Sequence, residues 1–256
     1  MAELEIVQFT ARSDNFAVLV HDPQSGKTAS IDAPEAAPIL AELENRGWQL
    51  TDIFVTHKHL DHIDGIPALK ETFGAAVTGP AKSARETGLY DRTVSDGHSF
   101  DFAGHTVQVM ETPGHTLDHV SYYIADQKLL FCADTLFALG CGRVFEGDAP
   151  MMWNSLKALR DLPDDTVVYC GHEYTLANAR FAVTADPQNG RLAERLAEIE
   201  TLRADGRPTL PTSIGLEKET NPFLRADDPA VAAAMGLSGA DPAAVFAEVR
   251  ARKDNF

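Results

Sequence analysis

The stretch Thr56-His57-Lys58-His59-Leu60-Asp61-His62 directly follows the apolar run Ile53-Phe54-Val55 and places four potential metal ligands within six residues. Side chains two residues apart on an extended backbone point the same way, so His57 and His59 should face one side. Asp61 and His62 follow as the chain turns toward a helix. Only 9 of the 256 residues are histidine and three lie here, which makes chance clustering a poor alternative. The spacing predicts a loop that can face two adjacent metal ions.

The composition restricts the partners and the compartment. Lysine and arginine number 22 against 38 aspartates and glutamates, and the resulting formal charge of −16 argues against a nucleic-acid partner. The cysteines Cys132, Cys141 and Cys170 are odd in number and widely spaced, which predicts no disulfide framework and suits a reducing compartment. The stretch Met1-Ala2-Glu3-Leu4-Glu5 is acidic and is not a basic segment followed by an apolar one, and no stretch approaches the roughly 20 apolar residues of a membrane span. We expect a cytoplasmic monomer with a small-molecule substrate and no membrane partner.

The order of the predicted elements indicates a layered α/β body followed by a helical tail. Short β-type runs predict strands over residues 5–10, 16–22, 28–32, 52–56, 76–79, 98–102, 105–111, 120–124, 128–132 and 167–171. Helices are predicted over 34–46, 65–73 and 150–160, and after His172 over 191–204 and 241–253. We predict a catalytic domain over residues 1–172 and a helical substrate-binding domain over 173–256.

Three more ligand candidates stand where an apolar strand ends. His115 follows the run 105–110, Asp134 follows 129–132, and His172 follows 167–170. Strand ends that meet at one edge of a sheet are where α/β proteins build sites. With the first cluster this makes five histidines and two aspartates. Imidazole suits zinc, iron or manganese, and a carboxylate can bridge two cations, so the set predicts a dinuclear site.

Other residues near these candidates allow simpler interpretations. His119, four residues after His115, is either a structural histidine or a neighbour that orients a ligand. Cys132 and Cys170 each stand two residues before a candidate ligand. Strand alternation therefore points each cysteine to the same face of the sheet as that ligand, but deeper in the protein. We predict that both are small buried residues and not ligands.

These residues resemble the metallo-β-lactamase superfamily, whose signature HxHxDH is matched by residues 57–62 and is followed, in the family's order, by His115, Asp134 and His172. Within that superfamily the chain is similar, over essentially its whole length, to the hydroxyacylglutathione hydrolase (glyoxalase II) family. The closer similarity rests on four stretches: Gly140-Cys141-Gly142-Arg143-Val144-Phe145-Glu146-Gly147, Cys170-Gly171-His172-Glu173-Tyr174-Thr175, Asn221-Pro222-Phe223-Leu224-Arg225 and Arg250-Ala251-Arg252-Lys253-Asp254.

The resemblance implies a fold and a set of metal ligands. The fold is a four-layer αββα metallo-β-lactamase sandwich, with the metals at the sheet edge and a C-terminal helical domain that closes over glutathione. Two divalent metal ions are implied, zinc first and iron or manganese as alternatives. One metal would take His57, His59 and His115, and the other Asp61, His62 and His172, with Asp134 and a hydroxide between them.

The resemblance also implies a substrate. Arg143, Phe145, Tyr174, Arg250 and Lys253 would line the glutathione pocket. The family often has lysine where this chain has Arg143, so the positive charge is kept. It often has tyrosine where this chain has Phe145, so this chain lacks a hydroxyl at that position. The implied reaction is hydrolysis of S-(2-hydroxyacyl)glutathione, such as S-D-lactoylglutathione, to glutathione and D-lactate by a metal-bridging hydroxide.

The chemistry of the residues agrees with that reaction. Asp61 and Asp134 are the candidate catalytic residues, because with a hydroxide they offset three of the four charges of two divalent ions and leave about +1 for a developing oxyanion. A thiol has a pKa of about 8.5, so a thiolate leaves without a general acid. The alternatives are a one-iron sulfur dioxygenase acting on glutathione persulfide, a lactonase or β-lactamase, and a non-catalytic metal-binding module, which would be expected to have lost ligands.

Overall fold

The structure is a computed structural model in which residues 3–256 are described, so Met1 and Ala2, where the predicted catalytic domain begins and a targeting signal would start, lie outside the described residues. The described chain forms two compact units. The first contains the residues up to Glu111 together with Asp118–Cys132, and the second contains Thr112–Leu117 and Ala133–Phe256. The boundary after His172 stays a prediction.

The first unit contains two sets of hydrogen-bonded strands. The first set, in spatial order, is β1 (Glu5–Ala11), β2 (Asn15–His21), β3 (Lys27–Ile31), β4 (Gln49–Phe54), β5 (Ala76–Pro80) and β6 (Arg92–Val94). β1 to β3 pair antiparallel, and β3 to β6 pair parallel. The second set pairs antiparallel throughout: β7 (Ser99–Phe102), β8 (His105–Glu111), β9 (Val120–Ile124) and β10 (Leu129–Ala133).

Helices cover the first set of strands. They are α1 (Ala36–Arg46), α2 (Leu60–Ile63), α3 (Ile66–Phe73) and α4 (Ala84–Thr87). α1 and α3 end as predicted at Gly47 and Gly74, which adopt the left-handed conformation that glycine accepts without steric cost. Ile39 of α1 and Leu69 of α3 are fully buried against Ile53 of β4 in one apolar core.

The two sets of strands pack face to face through aromatic rings. The ring of Phe54 lies 5.0 Å from Phe100, 5.5 Å from Phe102 and 5.7 Å from Tyr122. The Tyr122 hydroxyl donates to the carbonyl oxygen of Val55 at 2.6 Å. This packing holds the end of β4, and the loop that follows it, in place.

The second unit is mainly helical. Its elements are β11 (Leu136–Phe137), β12 (Gly140–Cys141), α5 (Ala149–Arg160), β13 (Val167–Cys170), α6 (Thr175–Ala185), α7 (Gly190–Ala204), β14 (Thr212–Ser213), α8 (Ile214–Thr220), α9 (Pro229–Ala234) and α10 (Pro242–Asp254). β11 and β12 form a short hairpin. Helices α6 and α7 pack on Leu139, which lies between those two strands. Asp148 and Asp241 cap α5 and α10, since their carboxylates accept from Met151 N and Ala243 N.

The ten predicted strands and five predicted helices are present, with ends that differ by no more than three residues. The longest element not predicted individually is α6, whose only charged residue is Arg180, so it shows little of the polar and apolar periodicity of a surface helix. Among residues 3–256, no helix is long and apolar enough to cross a membrane.

Candidate active site

The first unit holds four of the predicted metal ligands on the loop after β4 and at the start of α2. His57 and His62 are buried, His59 is half-buried, and the Asp61 side chain is 38% exposed. His57 Nε2 lies 3.1 Å from His59 Nδ1, and His62 Nε2 lies 3.7 Å from Asp61 Oδ2. The structure therefore brings these four side chains together in two pairs.

Asp32 is a site residue that the sequence analysis missed. It follows β3, is 4% exposed, and has a left-handed backbone with φ of 55°. Its carboxylate accepts from Thr56 N at 2.7 Å, from Thr56 Oγ1 at 2.8 Å and from His62 Nδ1 at 2.7 Å. One of its carboxylate oxygens and one ring nitrogen each of His57 and His62 lie within 4.8 Å of one another. A polar residue at the end of an apolar strand was the signal that could have found it.

The contacts of Asp32 determine which ring nitrogens can bind a metal. Because Thr56 Oγ1 donates its one proton to Asp32, it can only accept from His57 Nδ1, 3.0 Å away. His62 Nδ1 likewise carries its proton toward Asp32. In both rings the lone pair is thereby placed on Nε2, because a hydrogen-bond acceptor at Nδ1 fixes the tautomer that presents Nε2 to a metal.

The second unit holds the other three predicted ligands. His115, Asp134 and His172 are each 5% exposed. Asp134 Oδ2 lies 3.3 Å from His115 Nε2 and 3.4 Å from His172 Nε2, so one carboxylate oxygen stands between two imidazoles. His115 Nδ1 donates to the carbonyl oxygen of Arg143 at 2.8 Å, which again leaves the lone pair of Nε2 available to a metal.

Backbone geometry brings these strand ends together. Asp134 follows β10 and His172 follows β13, and Gly171 N donates to the carbonyl oxygen of Ala133 at 3.1 Å. A Cβ atom at Gly142 would overlap the carbonyl oxygen of Asp134 and lie 3.0 Å from His115 Nδ1. Glycine is therefore required at 142 for the close approach of this loop to the ligands.

The spacing of these atoms fits metal coordination. Ligand atoms about 2.0–2.1 Å from a tetrahedral ion are roughly 3.3–3.4 Å apart, which is close to the separations within each unit. Nitrogen and carboxylate oxygen donors without thiolates suit zinc, iron and manganese. The chain therefore has a site for divalent metal.

His119 and the three cysteines are buried. His119 is fully buried, and its ring stacks on that of His57 with centroids 4.8 Å apart. Its role in orienting a ligand stays a prediction. Cys132, Cys141 and Cys170 are buried and form no disulfide, as predicted.

Two predicted substrate residues flank the ligand histidines of the second unit. The Phe145 side chain is 62% exposed, and its ring centroid lies 5.2 Å from that of His115. The Tyr174 ring stacks on His172 at 4.7 Å with an angle of 5° between the planes. Both aromatic rings are accessible beside residues proposed to bind metal.

The three predicted cationic residues gather around one carboxylate at the end of α10. Arg250 Nη2 lies 2.9 Å from Asp254 Oδ1, and Arg143 Nε lies 3.9 Å from the same oxygen. Burial lowers the pKa of Lys253, and the nearby Arg250 and Arg143 lower it further, against the opposing effect of Asp254. The group therefore has a surplus of positive charge.

The three cations differ in exposure and contacts. Arg250 is 8% exposed and its Nη1 donates to the carbonyl oxygen of Cys141 at 2.9 Å. The Arg143 side chain is 67% exposed, and Lys253 is half-buried with its Nζ donating to the carbonyl oxygen of Ala177 at 3.2 Å. Burial raises the pKa of the Cys141 thiol to about 11, so no thiolate competes in this cluster.

Comparison with known proteins agrees with the geometry. Residues 22–172 match the metallo-β-lactamase superfamily, and residues 173–256 match the C-terminal region of hydroxyacylglutathione hydrolase. A hydroxyacylglutathione hydrolase from Rhizobium meliloti (strain 1021) is 60% identical over 256 residues, which is 100% of each chain.

Two solved structures are similar along most of the chain. The crystal structure of ETHE1 from Myxococcus xanthus is 28% identical with a TM-score of 0.67, and the match covers 97% of this chain and 98% of that one. The crystal structure of TTHA1623 in a di-iron-bound form is 25% identical with a TM-score of 0.60, covering 86% and 99%.

The chain thus belongs to the metallo-β-lactamase superfamily, and its predicted fold class, an α/β sandwich with a C-terminal helical domain, is confirmed. Within that superfamily it belongs to the hydroxyacylglutathione hydrolase family, as the full-length identity and the C-terminal match show. The prediction that it is an enzyme of this family is likewise confirmed.

Proposed function

We propose that the protein hydrolyses S-(2-hydroxyacyl)glutathione thioesters, such as S-D-lactoylglutathione, to glutathione and a 2-hydroxy acid such as D-lactate. The support from similarity is the 60% identity to a hydroxyacylglutathione hydrolase along the whole chain. The observation on which the mechanism rests is the position of Asp134 Oδ2 between His115 Nε2 and His172 Nε2. A carboxylate so placed is suited to neutralise and join two cations.

The proposed cofactor is a pair of divalent ions, most simply zinc, with iron or manganese as alternatives. His57, His59 and His115 would hold one ion, Asp61, His62 and His172 would hold the other, and Asp134 would bridge them. The similar structure in a di-iron-bound form supports two ions. When bound, such ions would lower the pKa of bound water to about 7 and polarise the substrate carbonyl.

Residues of the chain supply the remaining conditions for the reaction. Asp61 and Asp134 would offset two of the four positive charges of two divalent ions, which would reduce the repulsion between the ions and leave a net positive charge beside a developing oxyanion. Asp32 keeps His57 and His62 in the tautomers that present Nε2. The leaving thiol has a pKa of about 8.5, so no protonated side chain is needed at the sulfur.

The glutathione part of the substrate is proposed to bind at the end of α10. Arg143 and Lys253 would attract its carboxylates, because charge-assisted contacts are the strongest available to an anionic tripeptide. Arg250 would add to the positive potential while its bond to the Cys141 carbonyl orders the segment leading to Arg143. Phe145 and Tyr174 would line the path between carrier and reaction centre.

The domain division, compartment, oligomeric state and partners of the protein are also proposals. Residues 1–172 would form the catalytic domain and 173–256 the helical substrate-binding domain. We propose a cytoplasmic monomer without nucleic-acid or membrane partners, as expected from the charge and the sequence pattern.

Turnover of S-D-lactoylglutathione by protein of known metal content tests the function. We expect hydrolysis that disappears with a strong chelator and returns with added zinc. Metal-loaded protein that leaves this thioester intact would contradict the proposal. Oxygen consumption with glutathione persulfide, measured on the same sample, would instead favour the dioxygenase.

A further inference from the structure

The start of β2 is hydrogen-bonded to α2, the short helix that contains Asp61. Asn15, the first residue of β2, is 3% exposed. Its side-chain Nδ2 lies 3.1 Å from both the backbone carbonyl oxygen and the carboxylate Oδ2 of Asp61. One buried amide thus contacts the main chain and the side chain of the same residue, although the two are 46 positions apart.

A second contact joins the turn between β1 and β2 to the end of α2 without touching a proposed ligand. Arg12 Nη2 lies 2.7 Å from Asp64 Oδ2, and these side chains are 33% and 64% exposed. Arg12 Nε also donates to the carbonyl oxygen of Pro34 at 2.7 Å. The turn therefore offers one buried contact at Asp61 and one exposed contact at Asp64, which can be removed separately.

We propose that Asn15 is a positioning residue that directs the Asp61 carboxylate toward the metal it shares with His62. The Asp61 side chain is 38% exposed and its terminal torsion is intrinsically broad, so it needs an external contact to hold one orientation. The oxygen that accepts from Asn15 is also the one 3.7 Å from His62 Nε2.

The chemistry of an amide suits this position. A neutral donor orients a carboxylate without adding a positive charge that would repel the metal, and an amide stays neutral at any pH at which the enzyme works. This inference rests on the proposed function, because it takes Asp61 to be a metal ligand. It does not depend on which thioester is the substrate.

The test compares metal affinities of Asn15→Ala, Asn15→Asp and the control Arg12→Ala, by competition with a chromophoric chelator and zinc. We expect one of the two bound zinc ions to bind about 10–100-fold more weakly in Asn15→Ala. This is the usual effect of removing the hydrogen-bond partner of a metal ligand. Asn15→Asp keeps the size but cannot donate when ionised, so it should weaken the same ion. Arg12→Ala should bind both ions as the wild type does.

Kinetics give a second readout. In Asn15→Ala, kcat should fall at subsaturating zinc while KM for the glutathione thioester stays within about twofold, because the carrier site is not touched. Thermal melts establish that each variant is folded. Equal zinc loss in Asn15→Ala and Arg12→Ala would show that Asn15 only stabilises the local backbone and does not orient Asp61. Wild-type zinc affinity in both Asn15 variants would also overturn the inference.

Asp61→Asn separates this inference from the proposed function. If Asn15 acts through Asp61, adding Asn15→Ala to Asp61→Asn should weaken zinc binding no further. Unchanged zinc binding in Asp61→Asn would contradict the ligand assignment itself. Zinc loss in Asp61→Asn with none in Asn15→Ala would contradict the role of Asn15 alone.

Discussion

Arg195 of α7 and Glu217 of α8 form an ion pair in which Nη2 and Oε1 are 2.6 Å apart and the side chains are 5% and 0% exposed. The second carboxylate oxygen of Glu217 accepts from Leu139 N at 2.8 Å and from Asn221 Nδ2 at 3.0 Å. Asn221 Nδ2 also lies 3.0 Å from the carbonyl oxygen of Gly140. The pair therefore supports the hairpin of β11 and β12, directly before Gly142 and Arg143.

Arg195→Met should lower the free energy of unfolding by about 3–5 kcal/mol, because it leaves the Glu217 carboxylate buried without its cation. Urea unfolding measures the change. The matched control is Arg191→Ala in the same helix, whose pair with Glu194 joins side chains 43% and 71% exposed, so that its loss should leave the free energy of unfolding close to the wild-type value. Similar losses in both variants would contradict the role given to burial.

Gly142→Ala should lower kcat by about 100-fold, since an added Cβ would displace the Asp134 backbone and a shift near 1 Å at a catalytic group costs on that order. Metal content should fall with it. Gly190→Ala is the control, because no atom lies within 4 Å of its added Cβ. Full activity in Gly142→Ala would show that the loop can move away from the ligands at no cost.

Asp134→Ala should remove both metal ions together, because the carboxylate both binds them and offsets their mutual repulsion. Metal analysis of dialysed protein measures the stoichiometry, with His62→Ala as the comparison, which should lose one ion. Retention of one ion in Asp134→Ala would contradict the bridging role.

Lys253→Ala should raise KM for a glutathione thioester by about 10-fold or more, on the scale of one charge-assisted contact, with a smaller change in kcat. A small thioester without glutathione is the control and should be hydrolysed equally by both proteins. Equal impairment with both substrates would make the end of α10 structural. We choose Lys253 over Arg250 for this substitution because Arg250 also donates a hydrogen bond to the carbonyl oxygen of Cys141.

Affinity for an S-alkylated glutathione should weaken as pH rises through the lowered pKa of Lys253, because the neutral amine no longer attracts a carboxylate. Since burial is the main cause of the shift, the loss should begin below the ordinary lysine pKa of about 10.4. Calorimetric titrations at increasing pH measure it. Lys253→Arg keeps its charge over this range and should retain affinity, so a parallel decline in both proteins would assign the effect to another group.

The candidate metal ligands could be proposed from the sequence because their signals are local. The spacing of His57, His59, Asp61 and His62, and the positions of His115, Asp134 and His172 after apolar strands, are visible along the chain. Asp32 and Asn15 were not found, because each acts on a residue at least 24 positions away through contacts that exist only once β-strands are paired. Arg195 and Glu217 were missed because they are 22 positions apart and meet only when α7 packs against α8.

Helix α10 shows most clearly which properties of an element are local and which depend on its packing. The sequence alone determined that residues 241–253 form a helix capped by Asp241, since capping and the period of 3.6 residues are properties of the segment itself. Spacing could not decide which basic residues turn inward. In the structure Val245, Phe246, Val249 and Arg250 are buried, whereas Arg252 is exposed and bonds to Glu248. Only tertiary packing settles this, because the inward face of a helix is defined by the surface that it covers and not by its own repeat.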